Sequence, residues 1–198
     1  MSARSPAGDK SDRDAGSGGV PHDIVAFWQD AGPERWFTKN EAFDTELRAR
    51  FGHAHRFAAT GRFTLATPND ALACVLLLDQ GPRNIYRGTS YAYATDALAR
   101  EAASHALERQ FDRSIEPGLR QFFYIPFQHS EDRRDQARSL RLFAAYHREH
   151  PSNSWLRHAR HHARLIQRFG RFPHRNPMLG RETTSDEQDY LNNGGFAG

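Results

Sequence analysis

The chain has 198 residues, of which 38% are hydrophobic and 12% aromatic, and this is enough to bury a core. It carries 27 lysines and arginines against 24 acids, a formal charge of +3, and Lys10 and Lys39 are the only lysines. A single cysteine, Cys74, excludes an internal disulfide, and no apolar run reaches the roughly 18 residues of a membrane span. We therefore expect a cytoplasmic protein with no membrane partner.

The first 19 residues differ in composition from the rest of the chain. Residues 1–19 are rich in Gly, Ser and Asp, with almost no apolar side chains. Because such a segment cannot offset its own ordering entropy, we predict a disordered tail over residues 1–19. One all-helical domain is predicted over residues 20–198.

Helical start and stop signals follow the tail. Asp23 is expected to cap a short first helix, and Thr38 with Glu41 has the spacing of a capping box. Thr67-Pro68 is a further start signal, with proline at the first helical position. The helix after it is apolar on all sides, which is typical of a helix buried by its neighbours. Gly81-Pro82 is expected to stop this helix.

The second half of the chain predicts longer helices. Residues 91–110 are rich in alanine, and residues 130–148 and 153–169 each place apolar side chains on one face. Thr184 and Glu187 form a last capping box. No segment alternates as a strand does, and the links are short, so the chain is predicted to be all-α with antiparallel neighbouring helices.

The stretch 79–87, DQGPRNIYR, is the first polar motif. An acid near a helix C-terminus is unfavourable to the helix dipole, so Asp79 needs a cation, and Arg83 or Arg87 is the nearest. Two interpretations remain open. Asp79 and an arginine form a buried pair that holds the turn, or Arg83, Asn84 and Arg87 point into a cleft.

The stretch 126–132, PFQHSED, is the second polar motif. Ser130 suits the N-cap of the next helix, and Glu131 and Asp132 suit its first turn. His129 would lie just outside this cap. Either it makes a turn hydrogen bond, or it acts as an acid or base near neutral pH with Glu131 to orient it.

Three histidines lie close together on the helix predicted over residues 153–169. His158 and His162 share one face, a spacing that zinc sites use, and His161 lies beside them. No glutamate follows His158 as it would in a zinc-protease helix, and His162 lies on the apolar stripe. We therefore expect His162 to be an interior histidine and expect no metal.

The segment 168–181, RFGRFPHRNPMLGR, holds four arginines and no acid. Gly170 should end the preceding helix in a left-handed conformation, and the prolines should keep the residues after it non-helical. Phenylalanines alternate with the arginines, so the segment should be packed, and packed arginines need anionic partners. These partners are internal acids, an anionic ligand, or both. The internal acids would be Asp79, Asp96 and Glu131.

Seven short motifs together resemble one known family. They are FW at 27–28, WF at 36–37, LLDQ at 77–80, PRNIYRG at 82–88, ATD at 94–96, PFQHSED at 126–132 and RFGRFPHRNPMLGR at 168–181. In order and content they resemble the bacterial domain-of-unknown-function family nine-twenty-four, from residue 21 to the C-terminus. Gly81, Gln128 and Thr183 depart from the phenylalanine, acid and serine usual in that family.

The resemblance implies an all-helical, tetratricopeptide-like superhelix of stacked antiparallel hairpins, in which turns far apart in the chain come together. It carries no activity. On this basis we predict a pocket for a small anion that bears phosphate or carboxylate groups, with acid–base chemistry by His129 and His174. The expected ligand-binding residues are Asp79, Arg83, Asn84, Arg87, Glu131, His162, Arg171, Arg175, Asn176 and Arg181.

Other functions are weighed against this pocket. No phosphate loop, dinucleotide fingerprint or thiolate nucleophile indicates a cofactor, and the cofactor stays unknown. The main alternative is a peptide-binding module of tetratricopeptide type, a fold analogy. Nucleic-acid binding ranks below both because the net charge is modest and lysine is scarce. A further alternative is that the polar motifs only hold the fold together.

Overall fold

The structure is a computed structural model that describes residues 20–151 and 154–196. Every regular element in these residues is helical, which confirms the predicted all-α class. The tail predicted over residues 1–19 lies outside the described residues, and the single domain stays a prediction.

The α-helices of the described residues are α1 (Val20–Ala31), α2 (Pro33–Trp36), α3 (Glu41–Ala58), α4 (Pro68–Val75), α5 (Gly81–Ile85), α6 (Asp96–Glu108), α7 (Pro117–Arg120), α8 (Ile125–Gln128), α9 (Arg133–Glu149), α10 (Trp155–Phe169) and α11 (Ser185–Asn192). Short 3₁₀ turns lie at Ser90–Tyr93, Phe111–Ser114, Gln121–Phe123 and Pro173–Arg175, and a π-helical turn, Leu76–Gln80, joins α4 to α5. Across the described ranges, none of these helices combines the length and the hydrophobicity that a membrane crossing requires.

Two predicted capping signals are confirmed. At the start of α4, Thr67 and Asp70 exchange hydrogen bonds between side chain and backbone, with Pro68 in the first turn. At the start of α11, Thr184 and Glu187 make the same reciprocal pair. These signals succeed because every atom they use lies within one helical turn.

Two predicted caps near the N-terminal helices are wrong. Helix α3 is capped by Asn40, whose Oδ1 accepts a hydrogen bond from the Phe43 N–H at 3.0 Å. Thr38 instead donates its hydroxyl to the carbonyl of Glu34 at 2.7 Å. Helix α1 begins at Val20, so Asp23 lies in its first turn and not at its cap.

The cap predicted for α9 is also shifted. Asp132 caps the helix and accepts a hydrogen bond from the Arg134 N–H at 2.6 Å. Ser130 accepts one from the Asp132 N–H at 3.2 Å and therefore shapes the turn before the helix. The shift places Glu131 outside the helix, where its side chain is available to a distant arginine.

Gly81 and Pro82 do not end the apolar helix, contrary to the prediction. Gly81 is right-handed helical, with φ −51° and ψ −52°, and its N–H bonds to the carbonyl of Leu76. This bond spans five residues rather than four, which defines the π-helical turn. The wider turn lets the chain pass through Pro82, which has no N–H to donate, and continue into α5.

The π-helical turn leaves two carbonyls without their usual helical donors. The carbonyl of Leu77 is hydrogen-bonded by Nδ1 of His55 at 2.9 Å, and the carbonyl of Leu78 by the hydroxyl of Thr95 at 2.6 Å. Both donors come from other parts of the chain and are buried. Tertiary contacts therefore stabilise the irregular turn that positions the next residue, Asp79.

A continuous hydrophobic core reaches from α1 to α10. Helix α1 packs on α4, α4 on α6, α3 on α5 and α9 on α10. Phe143 of α9 stacks on Trp155 at the start of α10, whereas Glu131, before α9, accepts a hydrogen bond from the Phe172 N–H, beyond α10. These two contacts show that α9 and α10 run antiparallel.

Candidate functional site

Asp79 lies at the centre of the polar cluster, in the π-helical turn. Its side chain is 1% exposed, and Oδ1 is 2.8 Å from Nδ1 of His129. Oδ2 accepts a hydrogen bond from the Gln80 amide at 2.6 Å, and Nη1 of Arg83 lies 3.3 Å from Oδ1. The two residues of the first contact are 50 positions apart in the chain.

The contacts of Asp79 define the state of His129. Burial raises the pKa of the Asp79 carboxyl, but Arg83 and His129 outweigh burial and hold this pKa well below its usual range. Burial lowers the pKa of His129, and Arg83 adds to this effect. An ionised carboxylate only accepts hydrogen bonds, so the proton of neutral His129 sits on Nδ1 and its Nε2 carries a lone pair.

Nε2 of His129 has no hydrogen-bond partner among the described residues, and it is not a fully buried atom. The His129 side chain is 15% exposed. A histidine oriented by a carboxylate, with its second nitrogen unpaired, has the arrangement of a general base. Asp79 and His129 together form what we call the Asp–His dyad.

Asp96, at the start of α6, connects the dyad to a second arginine. Arg83 donates two hydrogen bonds to its carboxylate, at 2.8 and 3.0 Å. Nη1 of Arg175 lies 3.5 Å from Oδ2 of the same carboxylate. Arg83 and Arg175, predicted from distant motifs, therefore meet at one side chain.

Arg175 is buried, 6% exposed, and its ion pair with Asp96 is long, at 3.5 Å. No group in residues 20–151 and 154–196 accepts a hydrogen bond from its guanidinium, and its Nε is fully buried without a partner. The guanidinium carbon lies 4.6 Å from the ring centres of both Tyr93 and Phe172. Burial lowers the pKa of Arg175 to about 10, and Arg83 contributes.

A second ion pair borders this arginine. Arg181 donates hydrogen bonds at 2.7 and 3.0 Å to the two oxygens of Glu131. Glu131 also accepts the Phe172 N–H at 2.8 Å, which ties the segment after α10 to the start of α9. Burial raises the pKa of the Glu131 carboxyl, but Arg181 and the Phe172 N–H outweigh it and lower this pKa.

His162 and His174 lie beside the dyad in an aromatic environment. The His162 ring is 6.3 Å from that of His129, and its Nδ1 bonds to the carbonyl of His158 at 2.9 Å. Phe196 contacts both histidine rings, at 4.9 and 5.0 Å between ring centres. Burial lowers the pKa of each histidine to about 3, so both are neutral at neutral pH.

Other predicted site residues point elsewhere. Arg87 binds Asp44 of α3 at 3.0 and 3.2 Å and also donates to Oδ1 of Asn84 at 2.7 Å. Arg171 binds both oxygens of Glu187, at 2.6 and 2.8 Å, and Asn176 donates to the same carboxylate at 3.2 Å. These pairs fasten the turn after α5 to α3, and the segment after α10 to α11.

Several partners of the predicted arginines were not themselves predicted as site residues. Tyr93 and Phe172 cover Arg175, while Asp44 and Glu187 neutralise Arg87 and Arg171. Glu187 was predicted as the second residue of a capping box, but that pattern did not predict its ion pair with Arg171. No local sequence pattern predicts the contacts of Asp44 and Tyr93.

The surface has two cavities, one apart from the cluster along α6 and one near the cluster at Phe196. A groove of about 360 Å³ runs along one side of α6 and is bordered by Phe127 and Arg138. A second cavity, of about 320 Å³, is lined by His161, Tyr190 and Phe196. Phe196 therefore stands between the second cavity and the rings of His162 and His174. Neither cavity is lined by Arg175 or His129.

Comparisons with known proteins agree on the family and are silent on activity. The model of the family described as "Bacterial protein of unknown function (DUF924)" matches residues 24–195. A solved structure, that of the protein of unknown function ATU0120 from Agrobacterium tumefaciens, is similar, with a TM-score of 0.83 and 45% sequence identity. The similarity covers 88% of this chain and 97% of that one. A comparison with functionally curated proteins finds no match.

Proposed function

Since the chain belongs to the bacterial family DUF924, whose function is unknown, we propose from the site alone that it binds a small anion at Arg175. The Asp–His dyad supplies an acid or base beside this anion. Of the polar residues predicted from the sequence, the proposal includes only those that contact this cluster.

One observation carries the proposal: no group in the described ranges accepts a hydrogen bond from the guanidinium of Arg175, whose ion pair with Asp96 is long, at 3.5 Å. A buried cation without a hydrogen-bonded carboxylate is costly, and nearly all buried polar groups in proteins have partners. The carboxylate that lies 3.5 Å from Arg175 in the described part of the chain, that of Asp96, is already engaged by two hydrogen bonds from Arg83. An anion bound at the guanidinium would supply the missing acceptors.

The surroundings of Arg175 support a ligand more than a purely structural role. Buried polar atoms without partners also occur on the adjacent residues His174 and Asn176 and on Arg181. Such a concentration in one short segment is unusual for atoms that only serve packing. The side chains of His129 and Arg83 are 15% and 18% exposed, so the cluster is in contact with solvent.

The acid–base role belongs to Nε2 of His129. With Nδ1–H held by Asp79, Nε2 accepts a proton and can return it, and the negative charge of Asp79 stabilises the imidazolium that forms in between. Arginines nearby stabilise negative charge that develops on a bound anion. His174 is a weaker choice for this role because its Nδ1 is fully buried and unpartnered.

The test is a titration with acetate and inorganic phosphate at constant ionic strength, followed by NMR of the arginine Nε–H and histidine ring signals. We expect at least one anion to shift the signals of Arg175 and His129 in a saturable way. The variant Arg175→Gln should lose this response. Arg164→Gln, which changes an exposed arginine of α10, should keep it.

Two outcomes would refute the proposal. One is that neither anion moves the Arg175 signal. The other is that Arg175→Gln binds as the unchanged protein does, which would place any anion site elsewhere.

The stacked-hairpin, tetratricopeptide-like arrangement and peptide binding form a second proposal. The antiparallel pair α9 and α10 supports hairpin stacking, and the open groove along α6 offers a surface for a chain. Selection on the protein should enrich phage that display particular random peptides, and these peptides should fail to bind the variant Ser104→Arg, whose longer side chain fills the groove. Selected peptides that bind Ser104→Arg as well as they bind the unchanged protein would contradict groove binding.

A further inference from the structure

The three arginines of the cluster differ in how far they are neutralised. Arg83 makes two hydrogen bonds to Asp96 and lies 3.3 Å from Asp79. Arg181 makes two to Glu131. Arg175 has only a shared contact with Asp96, at 3.5 Å. Within residues 20–151 and 154–196, the site therefore offers a ligand one arginine that makes no hydrogen bond to an acid, although the sequence around it contains many arginines.

Acids surround this one cation. Asp96 lies against Arg175, and Glu131 is close enough to interact with it electrostatically. The neighbouring histidines add no positive charge at neutral pH, because burial lowers the pKa of His162 and His174 to about 3. An incoming anion thus meets the guanidinium of Arg175 next to two carboxylates, Asp96 and Glu131, whose charges Arg83 and Arg181 already balance.

The donors that the site offers decide the balance. A phosphate monoester carries between one and two negative charges at neutral pH, with a second pKa near 6, so both its attraction to the guanidinium and its repulsion from the fixed carboxylates are up to twice those of a monoanion. Built phosphate sites normally gather several arginines or a row of backbone N–H groups. A carboxylate has one charge, is planar, and accepts two parallel hydrogen bonds from one guanidinium.

We infer that the ligand held at Arg175 is a monocarboxylate rather than a phosphate-bearing molecule, and that Asp96 sets this preference. The inference rests on the proposed anion site. It adds the chemical class of the ligand and names a residue that determines specificity.

The experiment measures dissociation constants for acetate and benzoate against methyl phosphate and inorganic phosphate, at pH 7.5 and constant ionic strength. Binding is followed on the Arg175 Nε–H signal by NMR. We expect the carboxylates to bind tighter than the phosphates by about tenfold or more. This comparison uses the unchanged protein, so it does not depend on whether a variant folds.

The outcomes separate the inference from the proposal beneath it. Phosphates that bind as tightly as the carboxylates, or tighter, overturn the monocarboxylate assignment and leave the anion site standing. If no anion binds at Arg175, both fail. Carboxylates that bind tighter support both.

The role of Asp96 is tested separately with Asp96→Asn, which keeps the shape of the side chain and removes its charge. Its thermal melt is recorded first, to show that the variant is folded. The preference for carboxylate over phosphate should fall by about tenfold in this variant, because a dianion gains more than a monoanion from the loss of one negative charge. An unchanged preference would show that Asp96 does not set specificity.

Discussion

Replacing Arg83 and Arg175 by methionine separates a structural arginine from a ligand-binding one. Both residues contact the same carboxylate of Asp96, and both are largely buried. Methionine keeps most of the apolar length of the side chain and removes the charge. We expect Arg83→Met to destabilise the fold strongly and Arg175→Met to change stability little.

The expected magnitudes follow from the contacts. Arg83→Met removes the ion-pair partner 3.3 Å from the buried Asp79 carboxylate and the hydrogen-bonded cation of the partly buried Asp96, and such a change typically costs about 3–5 kcal/mol. Arg175→Met removes cation–π contacts with Tyr93 and Phe172, each worth about 0.5–2 kcal/mol. It also removes a buried charge without hydrogen-bonded acceptors, so the net change should be about 1 kcal/mol or less.

The assay is urea unfolding at pH 7, followed by circular dichroism, with the slope of the transition checked for a constant unfolded state. In thermal melts the difference between the variants should be about 5–15 °C, since 1 kcal/mol shifts the midpoint of a chain this long by about 2–4 °C. Equal and large losses in both variants would show that Arg175 is a structural ion-pair partner, and the reasoning for a ligand there would be refuted.

The remaining predictions concern the π-helical turn and the histidines. Thr95→Val leaves a buried carbonyl of that turn unpartnered and should cost about 1–3 kcal/mol in urea unfolding, whereas the exposed control Thr60→Val should stay within about 0.5 kcal/mol; equal effects would contradict the assigned hydrogen bond. Nitrogen-15 shifts should show His129 neutral at pH 7 with its proton on Nδ1, and Asp79→Asn should change this tautomer balance; a protonated imidazolium at pH 7 would contradict the assigned state. Burial lowers the pKa of His174 to about 3, so below about pH 6.5 the unfolded chain binds a proton that the folded protein does not. The free energy of unfolding should therefore decrease by about 1.4 kcal/mol from this group for each unit by which the pH is lowered. His174→Asn should flatten the dependence between pH 6 and 4 by that amount, and an unchanged slope would show that His174 is not buried in its neutral form.

Helix-level features were predictable where the signal is local. The caps at Thr67 and Thr184 and the left-handed Gly170, with φ 72°, require only atoms within a turn or two. The caps predicted at Thr38 and Ser130 failed because an Asn or Asp two positions further on offered the same chemistry. The spacing of residues along the chain does not show which of two nearby polar residues will cap the helix.

The prediction at Gly81-Pro82 failed for a different reason. Proline normally ends a helix because it lacks an N–H and crowds the preceding turn. Here Thr95 and His55 bind the carbonyls that the wider turn leaves free. Neither donor is close to Pro82 in the sequence, so no local rule indicates the continuation of the helix, or that it would place Asp79 towards His129.

The amino-acid sequence by itself determined the helical class and the polar residue types available to a site, because apolar periodicity and capping act over a few residues. Only the tertiary structure decided which acid each arginine meets: Asp96 for Arg83, 13 positions away, and Glu131 for Arg181, 50 positions away. Charges attract according to distance in space, and packing of the helices sets that distance. The same packing left Arg175 as the buried guanidinium with no hydrogen-bond acceptor among the described residues.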